Sequence, residues 1–535
     1  MSESHAPVRR YLTNVDTTAT SQLFTNVLIL GAGVAGLRAA IEASRHGNVV
    51  LACKAKLTDS NTWYAQGGIA SVLDTSDSFE SHIKDTLAAG GLINDNSVVE
   101  LVVRKGPELI KELLNWGAEF DMADNKIETT LEGGHSHPRI AHGHGDSTGR
   151  VIAEALIKKV RSIPEIKIIE DFFAIDLLTN DSQQCVGVLG NNPRSGMQII
   201  WAASTILATG GAGRLYRETT NPPIATGDGL AMAYRAGAVL RDMEFMQFHP
   251  TTLYVAGASR ALITEALRGE GALLLDLNGH RFMPEYSKAA ELSPRDVVSR
   301  AILEQMLKTN ATHVYLDVRH FDKAHFKKRF PLISELCESF DIDTSKDLIP
   351  VRPSAHYMIG GIKTDQLART NVANLYACGE VASTGLHGAN RLGSNSLLEG
   401  LVFGRIAGED AAAAASKSAH LSHPAMKYDV AVSDRSRLDT SDVRISLRSL
   451  MWRNVGITRR EQPLREAQEI ISFWQRYVMD KVFDSPEGWE CQNMLTVCLL
   501  MAQSAHQRKE SRGVHFRSDF PQTDPHFATH IEFTL

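Results

Sequence analysis

The chain lacks the features that mark several classes of protein. Its six cysteines include no C-x-x-C pair, which argues against a zinc ribbon or an iron–sulfur cluster. No stretch offers about 20 uninterrupted apolar residues, and residues 1–25 lack the apolar core of a secretory signal. A net charge of −6 gives no bulk attraction to nucleic acid or to anionic lipid. We therefore expect a cytoplasmic protein with reduced thiols, no metal, no membrane or nucleic-acid partner, and small-molecule substrates.

The length and composition are typical of a globular protein with more than one domain. A chain of 535 residues exceeds what a single hydrophobic core usually serves, so two or three domains are expected. Hydrophobic residues make up 43% of the chain and charged residues 22%, which is the ordinary balance of a soluble fold.

An apolar segment that breaks into a glycine-rich turn is the most informative pattern. The turn has the G-x-G-x-x-G spacing, in which the glycines permit a tight turn, a close approach to pyrophosphate and close packing of a helix on a sheet. It lies in the strand, turn, helix, strand order that a dinucleotide-binding unit requires. In that order the segments are Val27 to Leu30, the glycines Gly31, Gly33 and Gly36, Leu37 to Arg45, and Val49 to Ala52.

The motif by itself does not choose the nucleotide. The second strand ends in Cys53-Lys54, where a ribose-binding acid is usual. A glycine-rich turn that binds nothing is the alternative interpretation, although the surrounding segments favour a nucleotide.

The nucleotide-binding pattern is interrupted in the middle of the chain. Thr205 to Gly211 is a second apolar segment that ends on glycines, whereas from about Met243 polar motifs appear with helix-like Arg295 to Leu307 and strand-like His313 to Leu316. The first pattern returns at Asn374 to Glu380. We predict an α/β chain: a Rossmann-like nucleotide-binding domain over 1–242 and 358–427, interrupted by an α+β domain over 243–357 and followed by a helical domain over 428–535, with residues 1–25 flexible.

The predicted helical domain begins with a basic stretch. Apolar residues recur there at helical intervals between Leu464 and Trp474. The arginines are Arg444, Arg448, Arg453, Arg459, Arg460 and Arg465. A solvated helix face explains such a run, and a non-catalytic module that binds RNA through it is the alternative from another functional class.

Two arginines and two histidines lie in motifs that flank the inserted domain. Arg295 and Arg391 are planar donors suited to carboxylates, and His249 and His356 can add further donors. Each has a structural alternative, such as an ion pair between Arg295 and Asp296. Together they favour a cleft between domains that binds a small dicarboxylate.

At these residues the chain resembles the flavoprotein family that includes L-aspartate oxidase and the flavin subunits of fumarate reductase and succinate dehydrogenase. The resemblance covers nearly the whole length. Its motifs are Thr62 to Ala70, Thr264 to Gly271, Leu386 to Leu398 and Arg508 to Phe516. It implies FAD as the nucleotide and a capping domain in the place of the insertion.

The resemblance also implies the cofactor contacts. They fall on Gly31, Ala32, Gly33, Val34, Ala35, Gly36, Lys54, Asn61, Thr62, Trp63, Tyr64, Ala65, Gln66, Gly67, Gly68, Asp228, Glu380, Ser396 and Leu397. Some members carry at the place of Asn61 a histidine that bonds covalently to FAD. Asparagine has no suitable nucleophilic nitrogen, so FAD is expected to be held non-covalently.

Glu132 resembles the glutamate by which the amino-acid-oxidising members orient substrate. Aspartate differs from succinate by one ammonium group, and unlike charges about 4 Å apart gain about 4 kcal/mol at an effective dielectric of 20, before desolvation is subtracted. The resemblance implies that Glu132 holds this ammonium and that Arg295 donates and accepts the proton. The substrate carboxylates are then expected to contact Arg391, His249 and His356, with Thr264 assisting.

The activity implied is oxidation of L-aspartate to iminoaspartate, with hydride transfer to FAD and reoxidation by oxygen or fumarate. This is the first step of a route to NAD through quinolinate, so functional coupling to quinolinate synthase is expected. The alternative within the family is a soluble fumarate reductase or succinate dehydrogenase flavoprotein.

Overall fold

A sheet of seven strands forms the centre of the first domain. The computed structural model describes residues 9–255, 261–417 and 421–535. In spatial order the strands are Phe173–Thr179, Cys185–Asn192, Gly196–Leu207, Ser21–Leu30, Val49–Ala52 and Ile166–Ile169, and Leu375–Ala377 pairs with the end of Gly196–Leu207. Strand Ser21–Leu30 runs parallel to both of its neighbours, as in a doubly wound fold. The predicted α/β class is confirmed.

Helix Val34–Ala43 connects the first two parallel strands, as the glycine motif predicts. Gly31 has a φ of +111°, and a Cβ there would lie 2.1 Å from the carbonyl oxygen of Ala208. A Cβ at Gly36 would lie 1.9 Å from the carbonyl oxygen of Gly31. Both positions therefore require glycine. The helix begins three residues before the predicted Leu37, because Gly36 belongs to its first turn.

Further helices cover the sheet, and a small sheet stands beside them. The helices are Phe79–Ala89, Asn96–Asn115, Thr148–Arg161, Asp228–Arg235 and Asn395–Ser416. In the small sheet, strand Ile140–Ala141 lies between Ile69–Ala70 and Thr129–Thr130. The loop that carries Glu132 connects two of its strands. A four-stranded sheet consists of Ala382–Ser383, Gly361–Lys363, Leu240–Arg241 and Glu532–Phe533.

The inserted region has its own sheet and apolar core. Its strands, in spatial order, are Met246–Leu253, Ile349–Met358, Val314–Asp317 and Leu273–Leu275. Its helices are Ala266–Gly269, Met283–Tyr286, Arg295–Lys308, Lys323–Arg329 and Pro331–Glu338. The buried residues between them form a separate hydrophobic cluster. The predicted helix Arg295 to Leu307 and the predicted strand His313 to Leu316 are both present. Each end differs from its predicted position by at most one residue.

Residues 9–25 are packed, although the sequence predicts a flexible segment over 1–25. Leu12 has no exposed surface, and its backbone N–H donates to Asp176 over 2.7 Å. Strand Val15–Asp16 pairs with Lys427–Tyr428. The apolar residues here are too few to produce a periodic pattern, so the sequence did not reveal this packing. Residues 1–8 lie outside the described residues.

Three helices dominate the C-terminal region, as predicted. They are Thr440–Asn454, Glu461–Val478 and Pro486–Gln507. Several arginines of the basic stretch make internal contacts: Arg459 is buried and donates to the carbonyl of Glu244 over 2.7 Å, and Arg444 pairs with Glu490 over 2.7 Å. These contacts favour the structural interpretation over RNA binding. Among the helices of the described ranges, none is long and apolar enough to cross a membrane.

Candidate active site

A cavity with about 1530 Å³ of empty space, part of it open to solvent, extends from the glycine motif to residues of the inserted region. Helix Val34–Ala43 begins at this cavity; its N-cap residue Gly33 has no side chain, and of the first N–H groups that of Val34 donates to Thr62 Oγ1 over 3.0 Å. Helix Asn395–Ser416 also begins there, and Ser394 makes no side-chain cap. Helix N-termini with open donors attract anionic groups. The cavity therefore suits an extended ligand with phosphates.

Most residues that the family resemblance assigns to FAD line this cavity. They are Gly31, Ala32, Gly33, Val34, Ala35, Lys54, Asn61, Thr62, Tyr64, Ala65, Asp228, Glu380, Ser396 and Leu397. Gly36, Trp63, Gln66, Gly67 and Gly68 do not line it. Gly36 and Gly68 instead permit close backbone packing, since a Cβ at Gly68 would lie 2.5 Å from the carbonyl oxygen of Ala141. In the loop 61–68, the sequence alone does not show which residues face the cavity and which pack against the backbone behind it.

Lys54 follows the second strand, at the place where other dinucleotide sites have a ribose-binding acid, and it pairs with Asp228. Lys54 Nζ lies 2.8 Å from Asp228 Oδ2 and 2.5 Å from Glu490 Oε1. Burial opposes ionisation of Asp228, but the neighbouring Lys54 holds the pKa of that carboxyl below its usual range. An ionised acceptor is thus present on the cavity wall. The residues at both ends of the cavity fit FAD.

Asn61 and Glu380 both line the cavity, and their side chains are hydrogen-bonded to each other. Asn61 Nδ2 donates to Glu380 Oε2 over 2.9 Å, and the backbone N–H of Met358 donates to Oε1 over 3.0 Å. Burial raises the pKa of Glu380 to about 7. Asn61 therefore acts as a hydrogen-bonding side chain.

Gln247 joins the two arginines of the predicted substrate cleft. Its Oε1 accepts from Arg391 Nε and from Arg295 Nη1, each over 3.2 Å. Its Nε2 donates to the carbonyl of Arg391 over 2.7 Å. Gln247 is fully buried, so the bridge fixes both guanidinium groups in one place.

Arg391 is held by neutral groups. Its Nη1 donates to Ser396 over 2.7 Å, and its guanidinium carbon lies 4.4 Å from the centre of the Tyr357 ring. Within the described ranges no carboxylate lies within 4.0 Å of this guanidinium. Burial and the nearby Arg295 lower the pKa of Arg391 to about 10, which still leaves it charged at neutral pH. Arg391 can therefore accept an external carboxylate.

Arg295 is paired with a carboxylate of the inserted region. Its Nε lies 2.6 Å from Glu265 Oε2, and Glu265 Oε1 lies 2.7 Å from Arg268 Nη2. Burial opposes ionisation, but the two arginines outweigh it and hold the pKa of Glu265 at about 2. Arg295, Glu265 and Arg268 thus form a continuous buried chain of charged groups.

His249 and His356 lie side by side, with ring centroids 5.1 Å apart. His249 Nδ1 is 3.1 Å from the carbonyl of Thr251, and His356 Nδ1 is 2.9 Å from Thr220 Oγ1. Burial and the nearby Arg295 lower the pKa of both rings well below 6.5. Both are neutral at physiological pH and keep Nε2 for another partner.

Glu132 approaches the same cleft from the opposite domain. A Cβ built on Gly393 would lie 3.2 Å from Glu265 Oε2 and 3.5 Å from both Arg295 Nη2 and Glu132 Oε2, so these charged groups converge at one glycine. Ser394 Oγ donates to Glu132 Oε2 over 2.8 Å. Glu132 Oε1 is buried without a hydrogen-bond partner in the described structure. Burial, and then the nearby Glu265, raise the pKa of Glu132.

Several residues of the cleft were not predicted from sequence. Gln247, Glu265 and Arg268 make the contacts described above; Glu265 and Arg268 lie within the Thr264 to Gly271 motif, and Gln247 lies two residues before His249. The spacing of Glu265 and Arg268 by three residues was a detectable signal, because such a spacing puts opposite charges on one face of a helix. Of the predicted substrate residues, His356 and Arg391 line the cavity, whereas Glu132, His249, Thr264 and Arg295 are buried and do not line it.

Comparisons with known proteins agree with this architecture. Residues 26–397 match the FAD binding domain family, and residues 444–534 match the C-terminal part of the fumarate reductase flavoproteins. The fold is similar to a mutant of E. coli quinol fumarate reductase, with a TM-score of 0.90 and 34% identity over 96% of this chain and 94% of that chain.

The sequence relatives include L-aspartate oxidases. The chain is 42% identical over 522 residues to L-aspartate oxidase 1 of Ralstonia nicotianae, which covers 94% of this chain and 96% of that protein. It is 40% identical over 518 residues to the L-aspartate oxidase of Streptomyces coelicolor, an alignment that covers 93% of this chain and 89% of that protein. The fold and the cavity define an FAD-dependent flavoprotein oxidoreductase. Within this class the chain belongs to the L-aspartate oxidase family.

Proposed function

We propose that the protein oxidises L-aspartate to iminoaspartate at the cleft formed by Glu132, Arg295 and Arg391. The observation that supports this most strongly is the convergence of Glu132 with the paired Arg295 and Glu265 at Gly393, and the Gln247 bridge from Arg295 to Arg391, beside the cavity that fits FAD. A four-carbon dicarboxylate with an amine needs positive partners at its ends and a negative partner near its second carbon.

The substrate carboxylates are bound by Arg391 and by the two neutral histidines. Arg391 has no carboxylate partner among the residues that the structure describes, so a bidentate contact with substrate costs no ion pair seen there. The backbone N–H of Thr251 donates to His249 Nδ1 over 3.3 Å, and the Thr220 hydroxyl can donate to His356 Nδ1, so in both neutral rings the hydrogen is on Nε2, which can donate to substrate. Gln247 keeps Arg391 from rotating away.

The substrate ammonium is bound by Glu132. Its Oε1 has no hydrogen-bond partner among the described residues, and His142 Nε2 stands 4.0 Å away from it. An ammonium at this oxygen would supply the missing donor and favour the ionised carboxylate, because an opposite charge lowers a raised pKa. Succinate and fumarate have no such group, so Glu132 is the proposed selectivity determinant.

The oxidation also requires removal of a proton. Arg295 faces the cleft and is hydrogen-bonded to Glu265, which is in turn bonded to Arg268. Arg295 passes its proton to Glu265 and takes up the proton that the substrate ammonium loses as its carbon gives up the hydride, so this proton transfer leaves the total charge of the cleft constant. Glu265 is the only acceptor of the three, since guanidinium groups donate.

When bound, FAD supplies the electron acceptor for the hydride that leaves the substrate. The chain's part is to bind it without a covalent bond, to align the substrate and to exclude water. Asn61 and Glu380 support non-covalent binding, since their side chains are hydrogen-bonded to each other. Oxygen or fumarate is the proposed final acceptor.

The product has consequences for the setting of the reaction. An imine hydrolyses in water, so iminoaspartate requires a consuming reaction nearby. Functional coupling to quinolinate synthase on the route to NAD is therefore part of the proposal, and so is a cytoplasmic location.

Anaerobic titration of the purified holoprotein tests this function. L-aspartate should bleach the flavin absorbance rapidly, whereas D-aspartate and succinate should not. Rapid bleaching by succinate together with no response to L-aspartate would instead assign the protein to the fumarate reductase and succinate dehydrogenase branch. No response to any dicarboxylate would contradict both assignments.

A further inference from the structure

The loop that carries Glu132 is tied to the rest of the cleft through His135. The backbone N–H of His135 donates to the carbonyl of Glu132 over 3.2 Å, which forms a turn between the two residues. The His135 ring is buried, with Nε2 3.0 Å from the carbonyl of Gly393 and Nδ1 3.1 Å from Arg139 Nη1. The ring therefore connects the glycine at the centre of the cleft to an arginine behind it.

Only one form of the His135 ring satisfies both contacts. A carbonyl only accepts, so Nε2 must carry the hydrogen, and a guanidinium only donates, so Nδ1 must be bare. A protonated ring would direct an N–H at the positive Arg139. Burial lowers the pKa of His135 to about 4, which agrees with a neutral ring of fixed orientation.

Arg139 anchors this connection to the outer part of the domain. It is buried and donates to Asp77 over 2.8 and 2.9 Å and to Asp85 over 2.5 Å. Asp85 belongs to helix Phe79–Ala89, whose His82 also contacts Asn395 over 2.9 Å. Because both acids hold Arg139, the position of the His135 ring is fixed from behind.

We infer that His135 is a positioning residue that makes the cleft selective for a dicarboxylate with an amine. The inference rests on the proposed function of Glu132. Two adjoining residues connect the loop to the cleft, since Ser394 donates to the Glu132 carboxylate and Gly393 accepts from the His135 ring. Without the ring contact, Ser394 is the only described side chain that bonds the Glu132 carboxylate, and the loop is held on its other side by Ser136, which donates to Asp85 over 2.8 Å. The free oxygen of Glu132 then has a less fixed place.

Three substitutions separate the two ring contacts. His135→Gln places an N–H near the position of Nε2 and so retains the bond to Gly393, while His135→Asn places an acceptor near Nδ1 and so retains the bond from Arg139. His135→Leu loses both. His144→Asn is the matched control, because His144 is exposed, lies in the following loop, and has a positive φ that asparagine tolerates.

Steady-state oxidation of L-aspartate and reduction of fumarate by the chemically reduced protein are the two readouts. We expect His135→Leu to raise KM for L-aspartate about tenfold with a smaller change in kcat, and to leave KM for fumarate within about twofold. His135→Gln and His135→Asn should fall between His135→Leu and wild type. His144→Asn should match wild type in both reactions, and FAD content should be equal in all variants.

A double-mutant cycle with Glu132→Gln shows whether His135 acts through Glu132. If it does, His135→Leu changes KM for L-aspartate less than about twofold in the Glu132→Gln background, because the interaction is already lost. Additive effects, or equal losses for aspartate and fumarate, would overturn the inference. A wild-type protein that does not oxidise L-aspartate would refute the proposed function itself, which is a different outcome.

Discussion

Arg295 and Glu265 form a buried ion pair in the cleft, with Nε and Oε2 2.6 Å apart. The pair distinguishes Arg295 from Arg391, whose partners in the described part of the chain are all neutral. The two arginines therefore have different tasks: Arg391 is free to bind a substrate carboxylate, and Arg295 is connected to a group that can receive a proton.

Glu265→Gln should slow the chemical step more than it weakens binding. The substitution keeps the size of the side chain but removes the acceptor charge, so proton movement beyond Arg295 is interrupted. We expect kcat for L-aspartate to fall about 100-fold or more, with KM changed less than about threefold. Stopped-flow flavin reduction measures the step directly. A rise in KM alone would mean that Glu265 serves binding.

Arg391→Lys should weaken binding of every dicarboxylate alike. A lysine retains the charge but cannot make a bidentate contact or stack on Tyr357 in the same way. We expect kcat/KM for L-aspartate and for fumarate to fall by similar factors of about 100, and Arg391→Leu to be worse. A loss confined to aspartate would show that Arg391 contributes to amine recognition instead.

FAD should leave the protein when the fold is lost. Acid precipitation of the holoprotein is expected to release all of the yellow cofactor into the supernatant, because Asn61 supplies an amide where a covalent link needs a nucleophilic nitrogen. A yellow precipitate that survives washing would contradict non-covalent binding.

His82 should make folding stability depend on pH. Its Nε2 is 2.9 Å from Asn395 Oδ1, and burial lowers the pKa of the ring from 6.5 to about 3. Below about pH 6.5 the unfolded chain takes up a proton that the folded chain does not bind, so this contribution to stability is lost as pH falls. Relative to His82→Gln, wild type should lose about 2 kcal/mol of unfolding free energy between pH 7 and pH 5.

Equilibrium urea unfolding of both proteins at the two pH values measures this difference. The glutamine variant is a suitable reference because its amide can still donate to Asn395. A stability difference that does not change with pH would mean that His82 is protonated in the folded protein.

The nucleotide-binding unit could be predicted because its signals are local. The strand Val49–Ala52 has the predicted bounds, and Gly31 and Gly36 have the steric reasons that their spacing suggests. Close backbone contacts exclude every other residue type at such positions, so the sequence retains a direct record of them.

The pairing of the charged groups could not be predicted in the same way. Gln247 is the residue that connects Arg295 and Arg391, but nothing near it in sequence indicates which distant groups its amide will meet. The same is true of His135, whose two contacts come from Gly393 and Arg139. Such contacts depend on tertiary packing, which is also why the family motifs named several of these residues without their partners.

The most direct test of the account is the substrate selectivity of Glu132→Gln. Rates of anaerobic flavin reduction by L-aspartate and of fumarate reduction by the reduced protein should be measured for this variant and for wild type. The account predicts that aspartate oxidation falls at least about 100-fold, while fumarate reduction stays within about threefold. Equal loss of both reactions, or no loss of either, would contradict the claim that Glu132 recognises the ammonium group.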